Sequence, residues 1–262
     1  IKGIYDQYSE KGNHIITVKT EHTAVLDVCS YLEKKGAEIT YLNVNEDGLI
    51  DLEELIDSIT EKTILISIMY ANNETGVIQE IKAIGNIARK NDVFFMTDAT
   101  QAVGKIPVDV VEDNIDLLTL SAHKLHGPKG VGAVYIKRQF PKIKITPLLH
   151  GGGHEKGYRS GTINVPGIVG LGKASEISKN NLKDYENVLK LRNQLEEEIC
   201  KIEGVSINGH KNNRLPNTIN ISVDGVDAEA LIIKIRDEFA IASGSACTSA
   251  EVLPSHVIMA MY

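Results

Sequence analysis

Cysteine is scarce: the chain of 262 residues holds three, Cys29, Cys200 and Cys247. They lie too far apart for any C-x-x-C ligand pair, and so few thiols in so long a chain argue against a disulfide framework and for a reducing, cytoplasmic setting. Long apolar runs are missing too. None approaches the ~20 residues that a membrane helix needs, and the opening Ile1, Lys2, Gly3, Ile4 is neither an apolar signal core nor an initiating Met, so no membrane association is expected. The lysines are scattered and the formal net charge is -7, which leaves no electrostatic footprint for nucleic acid. A small-molecule substrate or a protein partner is the expectation. Repeats and low-complexity tracts are absent as well.

With 42% hydrophobic and 24% charged residues, the chain can bury a full core as one large domain, or one plus a smaller one. Short β-branched runs at 14–19, 38–42, 63–69, 93–97, 117–120 and 132–136 alternate with helical patterns, the sign of an α/β protein with a mostly parallel sheet. Val25, Val28, Cys29 and Leu32 share one helical face. So do Leu52, Leu55, Ile56 and Ile59, after an Asp51 cap that Glu54 would complete as a capping box. Past Gly151, Gly152 and Gly153 the pattern predicts one long charged helix over 165–202. A smaller α+β unit follows, with a strand at 218–223, a helix presenting Ala228, Leu231, Ile232, Ile235 and Phe239 on one face, and a strand leading into Ser243. The expected division is 1–163 for the large domain and 164–262 for the interdomain helix and small domain. Both ends read as cut, since Ile1 opens in a helical pattern already under way and 257–262 stop inside an apolar helical stretch with no Gly stop.

Ligands of open parallel sheets bind beyond the carboxyl ends of the strands. Two apolar runs end in chemistry-bearing residues: one leads into Asp98 with Gln101 just after, the other into Ser121, Ala122, His123 and Lys124. Asp98 and Lys124 stand about one strand-helix-strand step apart, so they can meet on neighbouring strands at one sheet edge. Pyridoxal phosphate needs such a pair, a lysine for the Schiff base and a carboxylate that keeps the pyridine nitrogen protonated. Taken singly, a strand-end Asp is commonly a helix cap and a Lys a solvated surface group. Ser121, His123 and Gln101 add donors suited to a phosphate.

Competing motifs fail on geometry. His150 and His154 have a helical metal interval, but three glycines between them make a helix improbable. Gly127, Gly130 and Gly132 precede a strand, whereas a dinucleotide fingerprint follows one. His123 and His126 sit in a loop without a third ligand nearby. Cys247 lies in a small, polar run, Ser243 to Ser249, where a thiol can be exposed and activated; Cys29 and Cys200 fall on helical faces and are expected to be packing residues.

Five separated motifs resemble those of the cysteine desulfurases, in the family's order and over essentially the whole chain. They are Thr20-Glu21-His22 with Ala24 to Leu26, Ala71-Asn72-Asn73-Glu74 with Gly76, Asp98 to Gln101 joined to Ser121 to Pro128, His150 to His154 with Arg159 to Thr162, and Gly244 to Ala250. The last resembles the subgroup serving iron-sulfur assembly. The resemblance implies a PLP-dependent transferase type I fold, with a mostly parallel sheet of the seven-stranded type, helices on both faces and a smaller α+β domain. It implies that Lys124 carries the cofactor, Asp98 pairs with the pyridine nitrogen, His22 stacks on the ring and moves protons, and Asn73 touches the ring hydroxyl and substrate. Gln101, Ser121 and His123 match phosphate and ring-oxygen contacts, while Thr162 matches a residue reaching the phosphate of the partner subunit in a homodimer. No metal ligand is implied.

The implied reaction converts L-cysteine to L-alanine and leaves sulfur on Cys247 as a persulfide, for an iron-sulfur scaffold protein or a tRNA-thiolation acceptor. A Thr-bearing phosphate loop upstream of Ile1 and a substrate-carboxylate arginine downstream of Tyr262 belong to the same pattern. The alternatives are a selenocysteine lyase, another fold-related PLP enzyme, or an inactive truncated scaffold. Cys247 argues against a plain aminotransferase, and the presence of Lys124, Asp98 and His22 against an inactive chain.

Overall fold

The computed structural model describes residues 1–140, 142–243 and 254–262. A short helix α1 (Lys2–Tyr8) leads to strand β1 (His14–Val18), helix α2 (Thr23–Glu33) and strand β2 (Glu38–Leu42). Helix α3 (Leu52–Ser58), strand β3 (Thr63–Ser67), helix α4 (Ile81–Lys90), strand β4 (Phe94–Asp98), strand β5 (Leu117–Ser121) and strand β6 (Gly132–Ile136) complete the first half. The strands form one sheet in the order β2-β1-β3-β4-β5-β6. β1 to β5 run parallel and β6 returns antiparallel to β5. Among the described residues the sheet has six strands, where the resemblance implied a seven-stranded type.

Burial on both faces explains the continuous apolar composition of these strands. One face packs Ile16, Ile66, Phe95 and Leu118 against Leu55 of α3 and Ile81 and Ile84 of α4. The other packs Ile15, Leu65, Met96 and Leu117 against Ile4 of α1 and Leu32 of α2. Cys29 is buried as expected; Cys200, expected as a packing residue, is exposed at the C-cap of the helix ending at Ile199.

Downstream come helix α5 (Val165–Asn180), helix α6 (Tyr185–Ile199), an antiparallel pair of strands β7 (Val205–Ile207) and β8 (Ile221–Val223), helix α7 (Ala228–Ile235) and helix α8 (His256–Met261). The single long helix expected over 165–202 is two: α5 ends at Asn180 with Asn181 as its C-cap, and a 3-10 turn, Leu182–Asp184, redirects the chain. Asp51 does cap α3, accepting from the Glu53 N–H at 2.8 Å. Glu54 forms no capping box, because its carboxylate accepts instead from the Asn43 side chain at 3.0 Å. β8 starts later than expected, and the residues before Ser243 form no strand. No described helix is long and apolar enough to cross a membrane.

Candidate active site

The strand order reverses between β1 and β3, which opens a crevice beyond their carboxyl ends. A cavity of about 990 Å³ occupies that edge and is lined by His22, Asn73, Asp98, Gln101, Ser121, His123 and Lys124. These side chains come from the ends of four strands. His22 follows β1 and caps α2, its Nδ1 accepting from the Ala24 N–H at 3.1 Å. That bond leaves the ring proton of neutral His22 on Nε2. Asn73 owes its place to Asn72, buried after β3. Asn72 donates to the Thr20 carbonyl at 2.9 Å and accepts from the backbone N–H groups of Glu74 and Thr75 at 2.8 and 2.9 Å, an Asx turn that ties the β3 loop to the end of β1.

Asp98 ends β4 in register with Thr119 of β5, and its Oδ1 accepts from the Thr100 N–H at 2.9 Å. Ser121 ends β5, and the chain turns at once through Ala122–Leu125, a single 3-10 turn that carries His123 and Lys124 and stops at His126 in the left-handed conformation. α5 braces this turn through small residues. A Cβ on Gly127 would sit 3.0 Å from the Cβ of Ala174, and one on Gly170 would sit 2.4 Å from Cγ of Pro128. Lys124 therefore rests on a rigid support at the sheet edge, beside the strand bearing Asp98.

Two buried ionisable groups close to the lining residues were assigned no role from the sequence: Glu21, present there only as part of a motif, and Lys105. Glu21 is fully buried; its Oε2 accepts from the His22 N–H at 3.3 Å, while Oε1 has no partner. Burial, and then the nearby charge of Asp98, push its carboxyl well above the ordinary value. Lys105 is buried at 8% exposure. Burial, and then the charge of Lys124, bring its ammonium down to about 8.

Thr162 lies on the exposed stretch before α5 and does not line the cavity; the Arg159 guanidinium donates to its carbonyl at 3.3 Å. Cys247 lies outside the described residues. The described residues on either side of it stand at the cavity. Ser243 lines it, and Ser255 donates to the carboxylate of Glu74, another wall residue, at 2.5 Å. His256 bonds the Glu21 carbonyl at 2.9 Å.

The donor set fits a phosphorylated pyridine aldehyde. It offers an amine on a braced turn, a carboxylate on the adjacent strand, an imidazole from β1, and hydroxyl, amide and imidazole groups beside the amine. A family model described as "Aminotransferase class-V" matches residues 1–262. The chain is 52% identical over 262 residues to "Cysteine desulfurase IscS" of Neisseria meningitidis serogroup A / serotype 4A (strain DSM 15465 / Z2491), covering 100% of this chain and 64% of that protein. It is 48% identical to the protein of the same name from Vibrio campbellii (strain ATCC BAA-1116), with the same coverage. The chain thus spans just under two thirds of the length of these relatives. Among solved structures, a "NIFS-LIKE PROTEIN" superposes with a TM-score of 0.90 at 37% identity, covering 99% of this chain and 68% of that one. "SspA in complex with cysteine" superposes with a TM-score of 0.82 at 38% identity, covering 99% and 72%.

Proposed function

The chain belongs to the class-V aminotransferase family, whose cofactor is pyridoxal phosphate, and from that premise we propose that it acts as a cysteine desulfurase, converting L-cysteine to L-alanine and keeping the sulfur on Cys247. One observation carries the proposal: seven side chains from four strand ends, Lys124 and Asp98 among them, line a single cavity. The relatives named cysteine desulfurase and the solved relative holding cysteine support the same substrate.

Lys124 would hold the cofactor covalently, Asp98 would keep the pyridine nitrogen protonated, and Gln101, Ser121 and His123 would bind its oxygens. When bound, the cofactor supplies a sink for negative charge developing on the substrate. The amine of Lys124 would take the substrate's α-proton. His22, with its proton on Nε2, would stack on the ring and return a proton. Cys247 acts as a thiolate: it forms an S–S bond to the substrate sulfur, and the substrate's C–S bond breaks. The carbon fragment takes up protons and leaves as alanine, while the persulfide stays on the chain.

The persulfide then passes to an acceptor, either an iron-sulfur scaffold protein or a component of tRNA thiolation, in the reducing cytoplasm. Thr162, away from this chain's own cavity, would complete the phosphate site of a second copy, which makes the working unit a homodimer.

The test is release of alanine and sulfide from L-cysteine by the purified chain supplied with pyridoxal phosphate, with intact mass recording a persulfide. Cys247→Ala should stop turnover and leave the cofactor's visible absorbance in place. Lys124→Ala should abolish the protein-bound absorbance. Undiminished alanine formation by Cys247→Ala would overturn the acceptor role, and an unaltered spectrum in Lys124→Ala would mean another lysine holds the cofactor.

A further inference from the structure

Gln101 lines the cavity through an amide whose two ends have opposite hydrogen-bonding character, and shape alone does not decide which end faces inward. Lys105, one helical turn on, does decide it. Its Nζ donates to the Gln101 carbonyl at 2.9 Å and to Gln101 Oε1 at 2.7 Å. A protonated amine can only donate, so the amide oxygen must face Lys105 and the amide's NH2 group must face away from it.

We propose that Lys105 is a positioning residue that fixes the orientation of the Gln101 side chain, so that the cavity is presented with a pair of N–H donors at that position and not with an acceptor. The ligand group this arrangement selects is an anionic or lone-pair-rich oxygen, such as a ring oxyanion or a phosphate oxygen. The inference rests on the cofactor assignment made above and adds to it the residue that sets the polarity of one contact.

The surroundings of Lys105 support a placed residue over a chance contact. Gly104, at a left-handed φ of 80°, turns the chain so that Lys105 points back under Gln101. A Cβ at Gly104 would meet Cδ2 of Leu125 at 2.5 Å and Cβ of Ser178 at 3.0 Å. The Gln101 to Lys105 turn is thus wedged between α5 and the turn that carries Lys124. A cation in this position is expensive to bury without compensation, and its bonds to Gln101 offset part of that cost. If its task were only to satisfy the Gln101 carbonyl, the second, shorter bond to Oε1 would be superfluous.

A double-mutant cycle separates the two roles. Wild type, Lys105→Met, Gln101→Ala and the double variant are freed of cofactor and titrated with pyridoxal phosphate. The dissociation constant is read from the absorbance of the bound form, and each cofactor-free protein is melted alongside. Lys105→Met should weaken binding roughly 5- to 10-fold, about the worth of one oriented hydrogen bond. In the Gln101→Ala background the same substitution should cost nothing further, because a residue acting through Gln101 has nothing left to act on. Lys105→Arg, also a pure donor, should restore binding to within about 2-fold of wild type.

Equal losses in both backgrounds, or unchanged binding in Lys105→Met, would overturn the inference while leaving the cofactor assignment intact. A wild-type chain that takes up no pyridoxal phosphate would overturn both. Should Lys105→Met fail to fold, Gln101→Glu supplies the reading instead. Its carboxylate keeps the contact to Lys105 but offers no donor to the cavity, so cofactor affinity should fall with no loss of melting temperature. Wild-type affinity in that variant would overturn the inference.

Discussion

Glu21 is a buried acid with one carboxyl oxygen left without a partner, set between His22 and Asp98. Its folded pKa is raised above the ordinary value of 4.5, so the native state keeps a proton that the unfolded chain gives up. The stability that Glu21 contributes is therefore fully present below about pH 4.5 and is lost progressively as pH rises toward and through the raised value. Glu21→Gln, neutral at every pH, escapes that loss. Thermal melts from pH 4.5 to 7.5 should show the variant gaining on wild type as pH rises; a gap that stays constant or shrinks would mean that Glu21 is ionised in the fold. Asp98, Gln101, Ser121, His123 and Lys124 were legible in the chain as strand-end polar groups, whereas His22 and Asn73 were singled out only through the family resemblance. The burial of Glu21 and Lys105 was not legible, because a charged residue looks the same in sequence whether buried or solvated.

At the scale of elements, the turn carrying Lys124 is packed closely against α5. Gly170 lets α5 approach Pro128 closely, and any side chain there must displace one of them. Gly170→Val should cost about 1–3 kcal/mol by overpacking and strain and should lower cofactor occupancy by more than stability alone explains. Urea titration with and without pyridoxal phosphate reads both effects, and occupancy tracking global stability would show that α5 does not brace the turn. The periodic signals for α2, α3 and the six sheet strands led to elements within a residue or two of the observed ones. The break between α5 and α6 was not visible, since Asn181 to Asp184 carry no Pro or Gly and the chain turns there for reasons of packing. The missing capping box has a similar cause. Glu54 had a competing tertiary partner in Asn43, which the local pattern could not reveal.

At the scale of the whole molecule, the sheet is the load carrier, with a hydrophobic layer on each face. Leu65, in central β3, is fully buried in the layer shared with α1 and α2. Leu65→Ala should cost about 2–5 kcal/mol through lost burial and the residual cavity; a urea midpoint shift worth less than about 1 kcal/mol would mean that the layer repacks freely. The amino-acid sequence by itself determined the alternation of strands and helices, the mostly parallel sheet and the residues that crowd its carboxyl edge. Side-chain period and strand-end position are local properties, readable along the chain. The tertiary structure alone decided which strand lies beside which, that Asp98 and Lys124 share one cavity wall with His22 and Asn73, and that Glu21 and Lys105 are buried close to the lining residues. Those outcomes depend on desolvation and on partners distant in the chain, and burial is a property of the folded whole.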